Sequence, residues 1–245
     1  MLSWVSAGLA TLFTWAMTAA GAALALLVPG KDNKGWKMIL GFSAGVMCAA
    51  SFWSLLLPAT EHCVSLGLHA AITVPLGTLC GFLLLLVAER CGDRFAMKSE
   101  ADRRVILMVA AITLHNLPEG LAVGVAFGSC VPGAWALAVG IALQNIPEGF
   151  AVAAPLQKRG ATAAKSLFWG QLSGAVEPVG GLLGAFLCTT FGHILPFALS
   201  FAAGAMLYVV LCQLALEAAD GEGKTAGSLG CALGFVVMTV LDLAL

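Results

Sequence analysis

Eight apolar runs, each of about 20 residues, alternate with short polar stretches along the chain; each is long enough to carry a helix across a hydrocarbon core of about 30 Å. They fall at about 4 to 28, 38 to 57, 69 to 88, 105 to 127, 133 to 155, 166 to 188, 193 to 217 and 226 to 245, with ends defined to about 2 to 4 residues. The separators carry turn chemistry: "PGKDNKGWK", "TEHCVSLG", "RCGDRFAMKSEADRR", "GSCVPG", "QKRGATAAK", "FGHILP" and "ADGEGKTAG". None leaves room for a soluble domain. The pattern predicts an all-α, polytopic membrane protein of eight transmembrane helices, with one domain over residues 1–245.

Composition agrees with this reading. Only 10% of the residues are charged and 60% are hydrophobic, against roughly 25% charged in an ordinary soluble domain, so lipid is the expected surroundings and nucleic acid is not an expected partner. The twelve basic residues set the orientation. Lys31, Lys34 and Lys37 lie in the first loop, Arg90, Arg94, Lys98, Arg103 and Arg104 in the third, Lys158, Arg159 and Lys165 in the fifth, and Lys224 in the seventh. The even loops and both termini hold none. Positive charge stays on the cytoplasmic side, which puts both termini outside, with a cell (plasma or inner) membrane as the expected location. No basic stretch precedes the first span and no clear cleavage site follows it, so it reads as a retained span. The eight cysteines are scattered without a C-x-x-C pair and read as small helix-packing residues. Only Cys63 and Cys130 fall in predicted outer loops, where a disulfide could persist.

Ten of the thirteen acids lie in loops or near span ends, Glu89 and Asp242 among them. Glu119, Glu148 and Glu177 do not. An ionised carboxylate at mid-membrane costs about 2.5 to 3.5 kcal/mol on insertion scales, which marks an intramembrane acid as a functional candidate. No span interior offers a Lys or Arg to pair with these three, so they need protons or a bound cation. Three protonated acids in a packing network are the bland alternative.

Two near copies, "HNLPEG" at 115–120 and "QNIPEG" at 144–149, carry two of these acids. His115 and Glu119 are four apart, as are Gln144 and Glu148, so each pair projects from one helix face as a two-point clamp. Pro118 and Pro147 free the carbonyls of Leu114 and Leu143 and kink the helix before each glutamate. Gly120 and Gly149 leave room for a second backbone. Pro178, directly after Glu177, repeats the device in span six. Imidazole nitrogen with carboxylate oxygen suits Zn²⁺ and neighbours such as Fe²⁺ and Mn²⁺, whereas an all-oxygen cage would suit Ca²⁺ or Mg²⁺. A site without thiolate binds moderately, as a carried ion requires.

The pair "HNLPEGLAVG" and "QNIPEGFAVA", followed by "GQLSGAVEPVGGLLG" and "FAAGAMLYVV", resembles the ZIP (Zrt/Irt-like) family of divalent-metal transporters, and most of all its GufA branch. The resemblance spans all eight runs. It implies a bundle with helices four and five at the centre, flanked by inverted repeats of spans one to three and six to eight, in a homodimer. It also implies transport of Zn²⁺, or of Fe²⁺, Mn²⁺ or Cd²⁺, toward the cytoplasm. By motif position the site comprises His115, Asn116, Glu119, Gln144, Asn145, Glu148 and Glu177. No prosthetic group is implied.

The chain departs from the family's pattern in three places. Asn145 stands where many relatives have Asp, leaving three carboxylates and the expectation of one tightly held ion with a weak second position near Asn116, Asn145 and Glu177. "CQLALE" at Cys212–Glu217 stands where similar proteins often read "EELIPE". The third loop contains no histidine.

Other readings have less support. Met47, Ser51 and Ser54 share a helical stripe that lines the path or merely packs. Glu61, His62 and His69 sit at the expected outer mouth, and His193 has no ligand neighbour in sequence. An intramembrane hydrolase lacks H-E-x-x-H and G-x-S-x-G. A proton- or sodium-coupled carrier of another solute would use the same glutamates, but has no need of His115 opposite a second clamp.

Overall fold

The computed structural model describes residues 2–27, 33–92, 113, 116–158 and 160–244. His115, the third loop and most of the first half of the fourth span lie outside the described residues. Among those described, the chain is helical throughout and seven helices are long and apolar enough to cross a membrane. The elements are α1 (Leu2–Leu27), α2 (Asn33–Ala50), α3 (Leu57–Ser65), α4 (Ala70–Gly92), α5 (residues 116–128), α6 (Ala134–Lys158), α7 (Ala163–Gly174), α8 (Val176–Thr190), α9 (Leu195–Val209), α10 (Ala215–Ala219) and α11 (Lys224–Ala244).

Three spans carry irregularities that their apolar pattern did not announce. A π-turn over Ser51–Leu56 joins α2 to α3, and another over Val210–Leu214 joins α9 to α10. Span two therefore runs on to Ser65, and much of the predicted second loop is helix. This removes Cys63 from loop status: it is buried within α3, while Cys130 is exposed, and both are free thiols. Span six breaks at Ala175, whose N–H turns back to Leu172 O at 3.1 Å. Pro178 lacks the N–H that would have bonded Gly174 in a continuous helix, so the chain restarts as α8 with Glu177 in its first turn. Pro147, by contrast, lies inside an α6 that stays helical from Ala134 to Lys158.

The helices sort into two groups. Helix α1 packs on α6, α7 and α8, while α2 packs on α11 and α4 on α9. Helix α6 touches α1, α2, α7 and α11 and so runs through the middle, as expected of span five. Lipid tails provide no hydrophobic drive between helices, so close backbone packing must hold them. The core is accordingly rich in alanine: Ala7, Ala10, Ala44, Ala49, Ala50, Ala122, Ala136, Ala138, Ala203 and Ala205 are fully buried. At Gly120 a β-carbon would strike the Glu177 backbone, and at Gly149 that of Thr18. These two glycines bring α5 against α8 and α6 against α1, and so fix where the glutamates meet.

Candidate metal centre

Glu119 on α5, Glu148 on α6 and Glu177 on α8 are all buried, as are Asn116, Gln144 and Asn145. Glu119 lies within electrostatic reach of both Glu148 and Glu177, and Glu177 within reach of Glu148. The structure thus brings together the six predicted site residues it describes. Among the described residues, however, no three His, Cys, Asp or Glu side chains close into a metal cage; the rest of the polar surface here is amide and hydroxyl.

Those amides are oriented by their neighbours. Gln144 Nε2 donates to Glu119 Oε1, linking the two clamps across α5 and α6. Asn116 Nδ2 donates to Ser173 O at 3.0 Å. Asn145 Nδ2 donates to both Glu177 oxygens, at 2.9 Å each, and to Thr14 O at 3.0 Å. Turning this last amide over would set its oxygen against three acceptors, so its orientation is fixed by the network. The amide oxygens of Asn116, Gln144 and Asn145 are buried and accept no hydrogen bond among the described residues. Amide oxygen is a hard donor suited to cations, and a buried acceptor without a donor is costly.

Glu177 is held by donors from two other helices. Besides Asn145, its Oε1 accepts from Thr18 Oγ1 at 3.2 Å. Glu177 also lies in the first turn of α8, the end at which the helix dipole favours negative charge. Gly174 makes this possible: a β-carbon there would lie 2.8 Å from Thr18 Oγ1 and 3.0 Å from Glu177 Oε1.

Thr14 and Thr18 went unnoticed in the sequence. Together with Thr11 they form a buried stripe on span one at spacings of three and four, a signal legible in retrospect. Of the secondary candidates, Met47, Ser51 and Ser54 are buried, and Ser51 Oγ donates to Met47 O at 2.8 Å. Glu61, His69 and His193 are exposed and His62 is half-buried.

Comparison with known proteins agrees with this architecture. The family model described as ZIP Zinc transporter matches residues 96–242. Zinc transporter ZIP11 of Homo sapiens is 36% identical over 97% of this chain and 96% of its own length. Zinc transporter GufA of Myxococcus xanthus is 36% identical over 98% and 100%, and Zinc transporter ZIPB of Bordetella bronchiseptica 37% identical over 94% and 78%. On those matches, carried by eight apolar runs and two proline-glutamate clamps, the chain belongs to the ZIP family, whose members are transporters and not enzymes.

Proposed function

We propose that this chain is a single transporter domain that carries a divalent transition metal, zinc first among them, across the membrane toward the cytoplasm. The observation that supports this best is the pairing of buried glutamates with amide oxygens that have no donor among the described residues, at the meeting of α5, α6 and α8. Glu119, Glu148 and Gln144 supply the ion's oxygen ligands, joined by His115 of the first clamp as the nitrogen donor. Asn116, Asn145 and Glu177 form a second, weaker position beside it. Four or so ligands of mixed N and O character hold such an ion without trapping it. Uptake of zinc by the purified protein in liposomes tests the reading, and flux no greater than in empty liposomes refutes it.

The proposed orientation places odd loops in the cytoplasm and both termini outside, in the cell membrane, with the chain paired as the homodimer that the resemblance implies. Cys130 is exposed in the turn between α5 and α6, and Ala163 is exposed at the start of α7. With the other native cysteines removed, Cys130 should react with a membrane-impermeant maleimide added to intact cells. In a fully cysteine-free background Ala163→Cys should react only after the cells are opened. The reverse pattern would invert the topology.

A further inference from the structure

Two polar contacts away from the glutamate cluster each join an acid to a π-turn. At the end of α4, Glu89 Oε2 accepts from the Tyr208 hydroxyl, and Gln213 Nε2 lies 3.5 Å from the same oxygen. At the end of α11, Asp242 Oδ1 accepts from Ser54 Oγ at 2.6 Å. Ser54 and Gln213 lie within the two π-turns themselves.

The two arrangements match in position. Eighteen residues separate Asn33 from Ser51, and eighteen separate Gly192 from Val210, where the π-turns begin. Nineteen separate Ala70 from Glu89, and eighteen separate Lys224 from Asp242. The second helix of each repeat therefore carries a π-turn, and the third carries an acid, at equal depths. The pairing also crosses between repeats: the acid of span three meets the turn of span seven, and that of span eight meets the turn of span two. Each turn packs on the other helix, that of span two on α9 and that of span seven on α2. With the repeats inverted, the turns face opposite sides of the membrane, each about 27 Å along its helix at 1.5 Å per residue. A β-carbon at Gly133, in the turn between α5 and α6, would lie 3.6 Å from Asp242 Oδ1, which places that acid at the outer mouth in the proposed orientation.

The π-turn makes the inner contact possible. Positions five apart on an α-helix differ by about 140°, so Tyr208 and Gln213 would face different ways. The wider turn that follows Tyr208, closed by Ala215 N–H on Val210 O, offsets part of that rotation, and both side chains reach one oxygen. A π-turn that relaxes to α shifts the chain beyond it by one residue, about 100° and 1.5 Å, and is therefore an element with two positions. In both places a neutral donor holds a carboxylate in a chain that passes divalent cations.

We infer that the two acid-pinned π-turns are an equivalent pair of gates on the metal path, Asp242 with Ser54 at the outer mouth and Glu89 with Tyr208 and Gln213 at the inner, each released when a passing divalent ion draws the carboxylate from its donors. The inference rests on the transport reading above. Hydrogen–deuterium exchange of the full chain in lipid nanodiscs, read by mass spectrometry over residues 51–65 and 208–219 with and without Zn²⁺, tests it. Tyr208→Phe should speed exchange at the inner turn about tenfold and leave the outer turn alone, and Ser54→Ala should do the converse. Zn²⁺ should speed exchange at both turns of the unmodified protein. If Tyr208→Phe does not fold, Gln213→Leu carries the inner arm with the same expectation. Exchange unchanged in the variants, or indifferent to Zn²⁺ at concentrations that saturate uptake, overturns the gates. The metal-free comparison reads the pinning whether or not zinc is carried, so absent uptake with intact local effects would instead refute the transport reading.

Discussion

Replacement of Glu119 or Glu148 by alanine is expected to reduce zinc uptake to that of empty liposomes while the protein stays folded. Each change removes one of the three clustered, buried carboxylates, and of the two left Glu177 is already engaged by Asn145, so the site repays much less of the dehydration of a divalent ion. Glu119→Ala also strips Gln144 Nε2 of its acceptor, at a cost of about 1–3 kcal/mol, so Glu119→Gln is the companion that keeps a polar partner in place. Thermal unfolding separates loss of site from loss of fold. Zinc at one hundred times its dissociation constant should stabilise the unmodified chain by about 2.7 kcal/mol, and the variants should lose that increment while keeping a cooperative transition. Uptake retained in either alanine variant would remove that residue from the site.

Asn145→Asp is expected to turn a site for one ion into a site for two. Glu119, Glu148 and Glu177 bring a formal charge of −3, which one divalent ion reduces to −1 and a second would carry to +1. Excess positive charge in a low-dielectric interior is unfavourable. In the unmodified chain the Asn145 amide also lies between both oxygens of Glu177, where a second ion would have to sit. The substitution removes that donor and adds a fourth carboxylate. Gross attraction to a divalent ion 4 Å away is about 8 kcal/mol at an effective dielectric of 20, most of it offset by desolvation. A gain of roughly a hundredfold in affinity at the second position is the net expectation. Without metal, the new carboxylate faces Glu177 and the Thr14 carbonyl, so the metal-free variant should melt below the unmodified protein and recover with zinc. Calorimetric titration gives the count, and two equally tight ions in the unmodified chain would show that the amide does not guard Glu177.

The spans were legible because lipid demands long apolar runs whatever the sequence within them, and the clamps because proline and glutamate rarely share a buried helix. The π-turns were not legible. One extra residue in a turn leaves hydropathy untouched, so Ser51–Leu56 and Val210–Leu214 read as plain helix. Glu89 and Asp242 were placed near span ends by position, but their donors come from spans remote in sequence, and nothing local to either acid points to Tyr208 or Ser54. Thr14 and Thr18 escaped notice because threonine is unremarked in a membrane helix until an acid is found opposite it. Glu119, Glu148, Gln144 and the two asparagines were legible from the repeated motif and Glu177 as a lone acid within a span, yet their hydrogen bonding was not, since which way an amide faces depends on three helices at once.

The places where glycine lets backbone touch backbone also govern how such a sequence can drift. On the lipid side, Leu76, Leu83, Val179, Leu183, Leu233 and Val236 are exposed, and one aliphatic side chain serves there as well as another. At Gly41, Gly81, Gly124, Gly204 and Gly234 a single methyl group would land on main-chain atoms of the neighbouring helix, and no rotamer change can move a main chain aside. Neutral variation in this chain should therefore gather on its outer skin, and a substitution library scored only for insertion and folding should leave those glycines nearly empty of survivors while the lipid-facing leucines and valines fill with alternatives.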